Sequence, residues 1–86
     1  MKYVYILRSI SHPEQTYIGI TSNPKQRLQE HNAGKSIHTS KFMPWKMLIA
    51  IAFADDKRAF EFEKYLKSGS GKTFTKRHFL SNTTEI

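Results

Sequence analysis

The sequence predicts an α+β domain. A small three-stranded antiparallel sheet, built from a β-hairpin and a central third strand, is flanked by helices in the order ββαβα plus a short C-terminal helix. Three observations carry this. Two apolar, β-branched runs, "KYVYILRS" and "TYIGIT", are separated by the short turn segment "SHPEQ", the pattern of an antiparallel hairpin. Two later segments, "SNPKQRLQEHNAG" and "DDKRAFEFEKYLKSG", carry helix start and stop residues. Between them stands "KMLIAIAFA", apolar on both faces, which reads as the buried middle strand.

Side chains alternate along a strand. The first strand therefore sets Tyr3, Tyr5 and Leu7 against Val4 and Ile6, and the second sets Tyr17, Gly19 and Thr21 against Ile18 and Ile20. With the aliphatic faces on the core, Tyr5 and Tyr17 are expected on a common outer face. Gly19 beside them leaves room for a backbone or substrate to approach. Ordinary cross-strand aromatic pairing explains the same pattern.

In the first helix Asn23 is a good N-cap, Pro24 suits the first position, Gln26 can complete a capping box and Gly34 suits the C′ position. Arg27 and His31, four residues apart, share a face, although such a pair is ordinarily solvated. A long basic loop, "KSIHTSKFMPW", leads to the third strand. Asp55 caps the second helix, whose apolar stripe is Ala59, Phe62 and Leu66. Glu63 lies at the edge of that stripe as a half-buried carboxylate, while Glu61 is solvated; the plain alternative for Glu63 is an ion pair with Lys64 or Lys67. "GKTFTKRHFLS" reads as the short third helix, with Phe74 and Phe79 as its apolar contacts. One domain over residues 1–80 and a frayed tail at 81–86 are expected.

The composition narrows the function. The 86 residues contain no cysteine, which excludes disulfides and thiolate metal sites. The longest apolar run, "MLIAIAFA", is too short to span a bilayer, and "MKYVYILRS" lacks the features of a signal peptide, so a cytoplasmic protein without a membrane partner is expected. Fourteen Lys and Arg against seven Asp and Glu give a formal charge of +7. That balance suits a polyanion such as nucleic acid.

"KSGSGKTF" resembles the end of a phosphate-binding loop, but Leu66 stands where the first glycine is required, and the segment follows a helix instead of a strand. No nucleotide cofactor is expected. The string reads as a helix C-cap and turn with Gly69 or Gly71 at positive φ.

Tyr5, Tyr17, Arg27, His31 and Glu63 together fit phosphodiester cleavage. That reaction needs a proton acceptor for the attacking water, a cation for the developing phosphorane charge and a metal for the leaving oxygen. A phenol is a poor base unless nearby cations lower its pKa, a task Arg27 or a metal could perform. One glutamate with several waters is a workable Mg2+ site, completed by substrate phosphate.

With these residues in hand, the sequence resembles the GIY-YIG endonucleases. "YVY" at Tyr3 to Tyr5 stands at the GIY position and "YIG" at Tyr17 to Gly19 matches the second half. "RLQEHN" looks like the family's Arg-x-x-x-His helix, and "AFEFEKYLKSGSGK" is similar to its metal-carboxylate helix. The nearest likeness is to small stand-alone bacterial members. The resemblance implies a Mg2+ (or Mn2+) dependent endonuclease acting on DNA. Tyr17 or Tyr5 would be the general base or orient the water, Arg27 would bind the scissile phosphate, His31 would relay a proton or orient a tyrosine, and Glu63 would be the sole protein metal ligand. Thr75 stands where many larger members carry asparagine. Lys35, His38 and Lys41 in the loop, with Lys72, Lys76 and Arg77, are candidate phosphate contacts, which position a strand without reading bases. Low sequence specificity follows, with a protein partner supplying more. The rival readings are a non-catalytic nucleic-acid-binding module and a nuclease subunit active only with its partner.

Overall fold

A computed structural model describes residues 1–80; the tail expected at 81–86 lies outside the described residues. Strands β1 (Lys2–Ser9), β2 (Thr16–Thr21) and β3 (Trp45–Phe53) form one antiparallel sheet, with helices α1 (Pro24–Asn32), α2 (Asp56–Leu66) and α3 (Gly69–His78) around it. The α+β class and the element order are those the sequence predicts.

The strand in the middle is different. The order is β2-β1-β3, so β1 is central and β3 is an edge. Four consecutive β1 residues, Val4 to Leu7, are at most 1% exposed, as a strand covered on both faces must be. In β3 the apolar run misleads because Ala50 and Ala52 are small and face solvent. Its register against β1 shifts between Ile6 and Leu7, which puts Leu48 and Ile49 together on the Val4 and Ile6 side while Trp45 and Met47 serve the other.

Two cores result, one on each face. Val4 and Ile6 meet Ala59 and Leu66 of α2, with Phe62, Phe74 and Phe79 packed around them. Each fully buried aliphatic side chain there contributes about 1.5–3 kcal/mol. On the opposite face Tyr5, Leu7 and Trp45 pack with Tyr17, Leu28, Phe42 and Met47. The tyrosine face is therefore not the outer face the alternation implied. It is roofed by α1 and the segment after it, and the second core occupies it. Asn32 clamps that roof: its Nδ2 donates to Trp45 O (3.0 Å) and its Oδ1 accepts from Trp45 N (2.6 Å).

The helix punctuation matches. Asn23 Oδ1 accepts from Gln26 N (3.1 Å), and Gly34 has φ 76° at the C′ position. The "KSGSGKTF" glycines correct the expectation at that string, because neither Gly69 nor Gly71 has positive φ. The second helix ends at Leu66, Ser68 caps the third, and its Oγ accepts from Gly71 N (3.2 Å). Gly71 is required by contact instead: a Cβ there would fall 2.5 Å from Leu66 Cα, so only glycine lets α3 start against the end of α2. Among the described residues no helix is long and apolar enough to cross a membrane.

Candidate active site

The central strand, the neighbouring hairpin strand and two helices bring most of the predicted residues together. Tyr5 is 1% exposed, and its ring lies over Gly19, its cross-strand partner. The room that Gly19 leaves is filled by the tyrosine itself. A Cβ at position 19 would come within 2.6 Å of Tyr5 Cζ and closer still to the hydroxyl.

The Tyr5 hydroxyl meets His31 Nε2 at 2.9 Å, and His31 Nδ1 meets Thr39 Oγ1 at 2.7 Å. Thr39 is in turn fixed by Trp45, whose Nε1 donates to its carbonyl oxygen (2.8 Å). A neutral imidazole has one donor and one acceptor nitrogen, so this buried chain can be satisfied throughout. His31 is fully buried, not one half of a solvated Arg and His pair. It touches both tyrosines, Tyr5 through the hydrogen bond and Tyr17 through its ring. Tyr17 packs on the same ring, with centroids 5.0 Å from His31 and 6.3 Å from Tyr5, and is half-buried.

Arg27 faces this cluster from α1, and its Nη1 also pairs with Glu30 Oε1 at 2.8 Å. Glu30 holds Arg27 protonated, and Arg27 in return holds the Glu30 carboxyl below its usual range. From α2, Glu63 is 19% exposed and pairs with Lys67 Nζ at 2.8 Å. Both charges are felt at the Tyr5 hydroxyl. Burial pushes that phenol above its usual value, and the adjacent Arg27 offsets this only in part, while Tyr17 and Glu63 push it further up. The lowering expected from Arg27 is present at Tyr5 but is outweighed by burial.

His31 titrates in the opposite sense. Burial, and secondarily Arg27, lower its pKa from the usual 6.5. Below about pH 6.5 the unfolded chain takes up a proton that the folded one refuses, so this contribution to stability is complete above that pH and lost as the pH falls. Urea midpoints measured from pH 7.5 to 5 are expected to drop for the wild type, and His31→Gln is expected to flatten that drop.

Lys72 and Lys76 line a cleft that Tyr17 also lines. Lys35, His38, Lys41 and Arg77 are exposed and lie outside it. Sequence reasoning missed Thr39, hidden in a loop that reads as polar, and it missed Glu30 as the partner of Arg27. The i,i+3 spacing of Arg27 and Glu30 was the available signal for the second. Among the described residues no three His, Asp or Glu side chains cluster as a metal cage.

The chain belongs to the GIY-YIG family: the pattern of the GIY-YIG catalytic domain matches residues 1–78. It is similar to the structure-specific endonuclease subunit SLX1 of Debaryomyces hansenii, 39% identical over 71 residues covering 74% of this chain and 20% of that protein. The same subunit of Candida dubliniensis is 41% identical over 71 residues, covering 74% of this chain and 25% of its own. The homologue from Giardia intestinalis is 35% identical over 65 residues, covering 71% and 18%. The chain thus spans a quarter or less of the length of these relatives. They are eukaryotic subunits, and the narrower likeness to stand-alone bacterial proteins draws no support from them.

Proposed function

We propose that this domain is a Mg2+-dependent endonuclease that hydrolyses DNA phosphodiesters with low sequence preference of its own. The observation that carries the reading is the convergence of Tyr17, Arg27 and Glu63 around one buried Tyr5–His31–Thr39 chain. A domain that only bound nucleic acid would need the basic charge but not this set.

The residues divide the work. Tyr5, locked and held as a phenol by burial, positions the ring of Tyr17 and lends its hydroxyl as a donor. Tyr17, which lines the cleft, orients the attacking water by a hydrogen bond to its hydroxyl oxygen while the water's proton passes to solvent. Arg27 neutralises charge on the phosphorane. Glu63 is a half-buried hard-oxygen ligand, and a single carboxylate suits Mg2+, which keeps most of its waters until substrate oxygens replace them. When bound, the ion would supply positive charge to the leaving oxygen. Water oxygen bonds to phosphorus, the bond to the leaving oxygen breaks, and that oxygen takes up a proton.

Lys67 Nζ pairs with the Glu63 carboxylate at 2.8 Å. Mg2+ must compete with that ammonium. An ion pair this exposed is worth at most about 1 kcal/mol, so Lys67→Met is expected to raise metal affinity about threefold to fivefold. Mn2+ binding followed by electron paramagnetic resonance, without DNA, checks it.

A second reading is favoured by the relatives, which are subunits: the domain is silent until a partner joins it. Supercoiled, branched and single-stranded DNA incubated with the pure protein, in Mg2+ or EDTA, tests both. Cleavage that EDTA stops supports the first reading. Binding without cleavage under every condition favours the binding module, or the partner-dependent subunit if added partner restores activity. Cleavage that persists in EDTA and in Glu63→Ala counts against the mechanism.

A further inference from the structure

We propose that Thr39 is a positioning residue for the reaction: its buried hydroxyl donates to His31 Nδ1, fixes the imidazole with its proton on Nε2, and so turns the Tyr5 hydroxyl proton toward Tyr17 and Arg27. The effect on cleavage rests on the nuclease reading; the direction of the hydrogen-bond chain does not.

Burial disfavours a charged His31 ring, so one of its nitrogens donates and the other accepts. The chain can then run in two directions. In one, the Tyr5 O–H donates to Nε2, and Nδ1–H donates to Thr39 Oγ1. In the other, the Thr39 O–H donates to Nδ1, and Nε2–H donates to the Tyr5 oxygen. The distances, 2.9 Å at Tyr5 and 2.7 Å at Thr39, allow both. Each direction leaves one hydroxyl proton over, at opposite ends. In the first it is the Thr39 proton. Thr39 is 1% exposed, and among the described residues its Oγ1 has no partner but His31. Its own carbonyl already accepts from Trp45 Nε1 (2.8 Å) and Phe42 N (3.2 Å). The proton would be stranded in the core, and a buried donor without a partner is costly. In the second direction the spare proton is on Tyr5. Tyr5 is buried as well, but its hydroxyl stands at the site end of the chain, close enough to Arg27 and Tyr17 to feel their charge.

The direction matters to the chemistry. Thr39 O–H, His31 Nε2–H and Tyr5 O–H then point the same way, and aligned hydrogen bonds strengthen one another. The positive end of the row faces the side where Arg27 meets the phosphorane charge. Reversed, the row would spend the Tyr5 proton on His31 and turn oxygen lone pairs to that side. Dipoles fixed in advance toward developing charge are a main source of rate enhancement. Thr39 itself touches nothing that reacts; it acts through His31 and Tyr5. Its own place is fixed by the backbone, because Thr39 N donates to Ser36 O at 3.2 Å and the Trp45 indole holds its carbonyl. An uncharged residue of a polar loop thus sets which way the buried chain points.

The test is nitrogen NMR of isotope-labelled histidine rings at neutral pH, where no cleavage is needed. His31→Gln identifies the His31 signals by their loss. In the wild type, Nε2 is expected to carry the proton and Nδ1 none. A proton on Nδ1, or an even mixture of the two forms, would overturn the proposal. Thr39→Val is nearly isosteric and removes the donor. It is expected to mix the two forms and to lower the single-turnover cleavage rate about tenfold, the worth of one hydrogen bond, with DNA affinity unchanged. Thr39→Ser keeps the hydroxyl and is expected to restore the wild-type form and most of the rate. Circular dichroism confirms that the variants fold, and the wild-type spectrum stands without them. A Thr39→Val protein with the wild-type ring form or the wild-type rate, or a Thr39→Ser protein no better than Thr39→Val, would also count against the role. A wild type with the expected ring form that never cleaves DNA would keep the direction of the chain and lose the nuclease reading.

Discussion

Glu63→Gln is expected to reduce cleavage about a thousandfold while leaving the fold and DNA affinity nearly intact. The magnitude follows from removing one preorganised charge from the transition state, which typically costs 10²–10³ in rate. The substitution keeps the shape of a side chain that is 19% exposed and whose ion-pair partner among the described residues is Lys67, so little packing is lost. What disappears is the carboxylate proposed to hold Mg2+. Single-turnover rates for both proteins over a Mg2+ titration measure the effect. A variant that recovers the wild-type rate at high Mg2+ would mean that Glu63 contributes affinity alone; a variant with the wild-type rate throughout would mean that it has no part in the chemistry.

Gly19→Ala is expected to cost substantial stability for a single methyl group. Glycine at this position looks like an open approach to the sheet, yet the space is taken by Tyr5. The ring cannot step aside, because its hydroxyl is tied to His31, and His31 is tied to Thr39. Overpacking of a filled core costs about 1–3 kcal/mol. In a domain of this size that lowers the melting temperature by roughly 10 °C. Activity should fall further than stability alone explains, because moving Tyr5 disturbs the surface on which Tyr17 rests. Calorimetry and cleavage assays below the transition separate the two effects. A Gly19→Ala protein as stable as the wild type would show that Tyr5 is not rigidly held.

The sequence and the structure part company where a pattern had two physical sources. "KMLIAIAFA" is apolar enough for a central strand, but alanine is small enough to be left at the surface, and Ala50 and Ala52 are. "YVYIL" alternates aromatic and aliphatic residues, which suggests one exposed face. The aromatics instead build a second core under α1, because a phenol can be buried once its hydroxyl has a partner. That partner, His31, was legible as a helical neighbour of Arg27; its burial was not, since it depends on Thr39 and Asn32 closing the roof. Local signals fared better. Asn23, Asp55 and Gly34 each sit at the cap they specify, since a cap depends on a few neighbouring backbone groups and on nothing distant. Glu63 was placed at the edge of its stripe for the same reason, and Lys67 was one of the two partners the helix offered.

The division of labour between the tyrosines also comes from burial. In the proposed mechanism Tyr5 holds the geometry, because burial keeps the proton on its phenol. Tyr17 stands in the cleft where water and a strand can reach it. The proposed chemistry is therefore direct attack by water at a site assembled from Tyr17, Arg27 and Glu63, with no covalent bond to either phenol.

Single-turnover cleavage in water enriched in oxygen-18 tests that claim most directly. The account predicts one labelled oxygen in each new phosphate end, formed only with Mg2+ present and abolished in Glu63→Gln. Unlabelled phosphate ends accompanied by DNA covalently attached to Tyr17 or Tyr5 would contradict it.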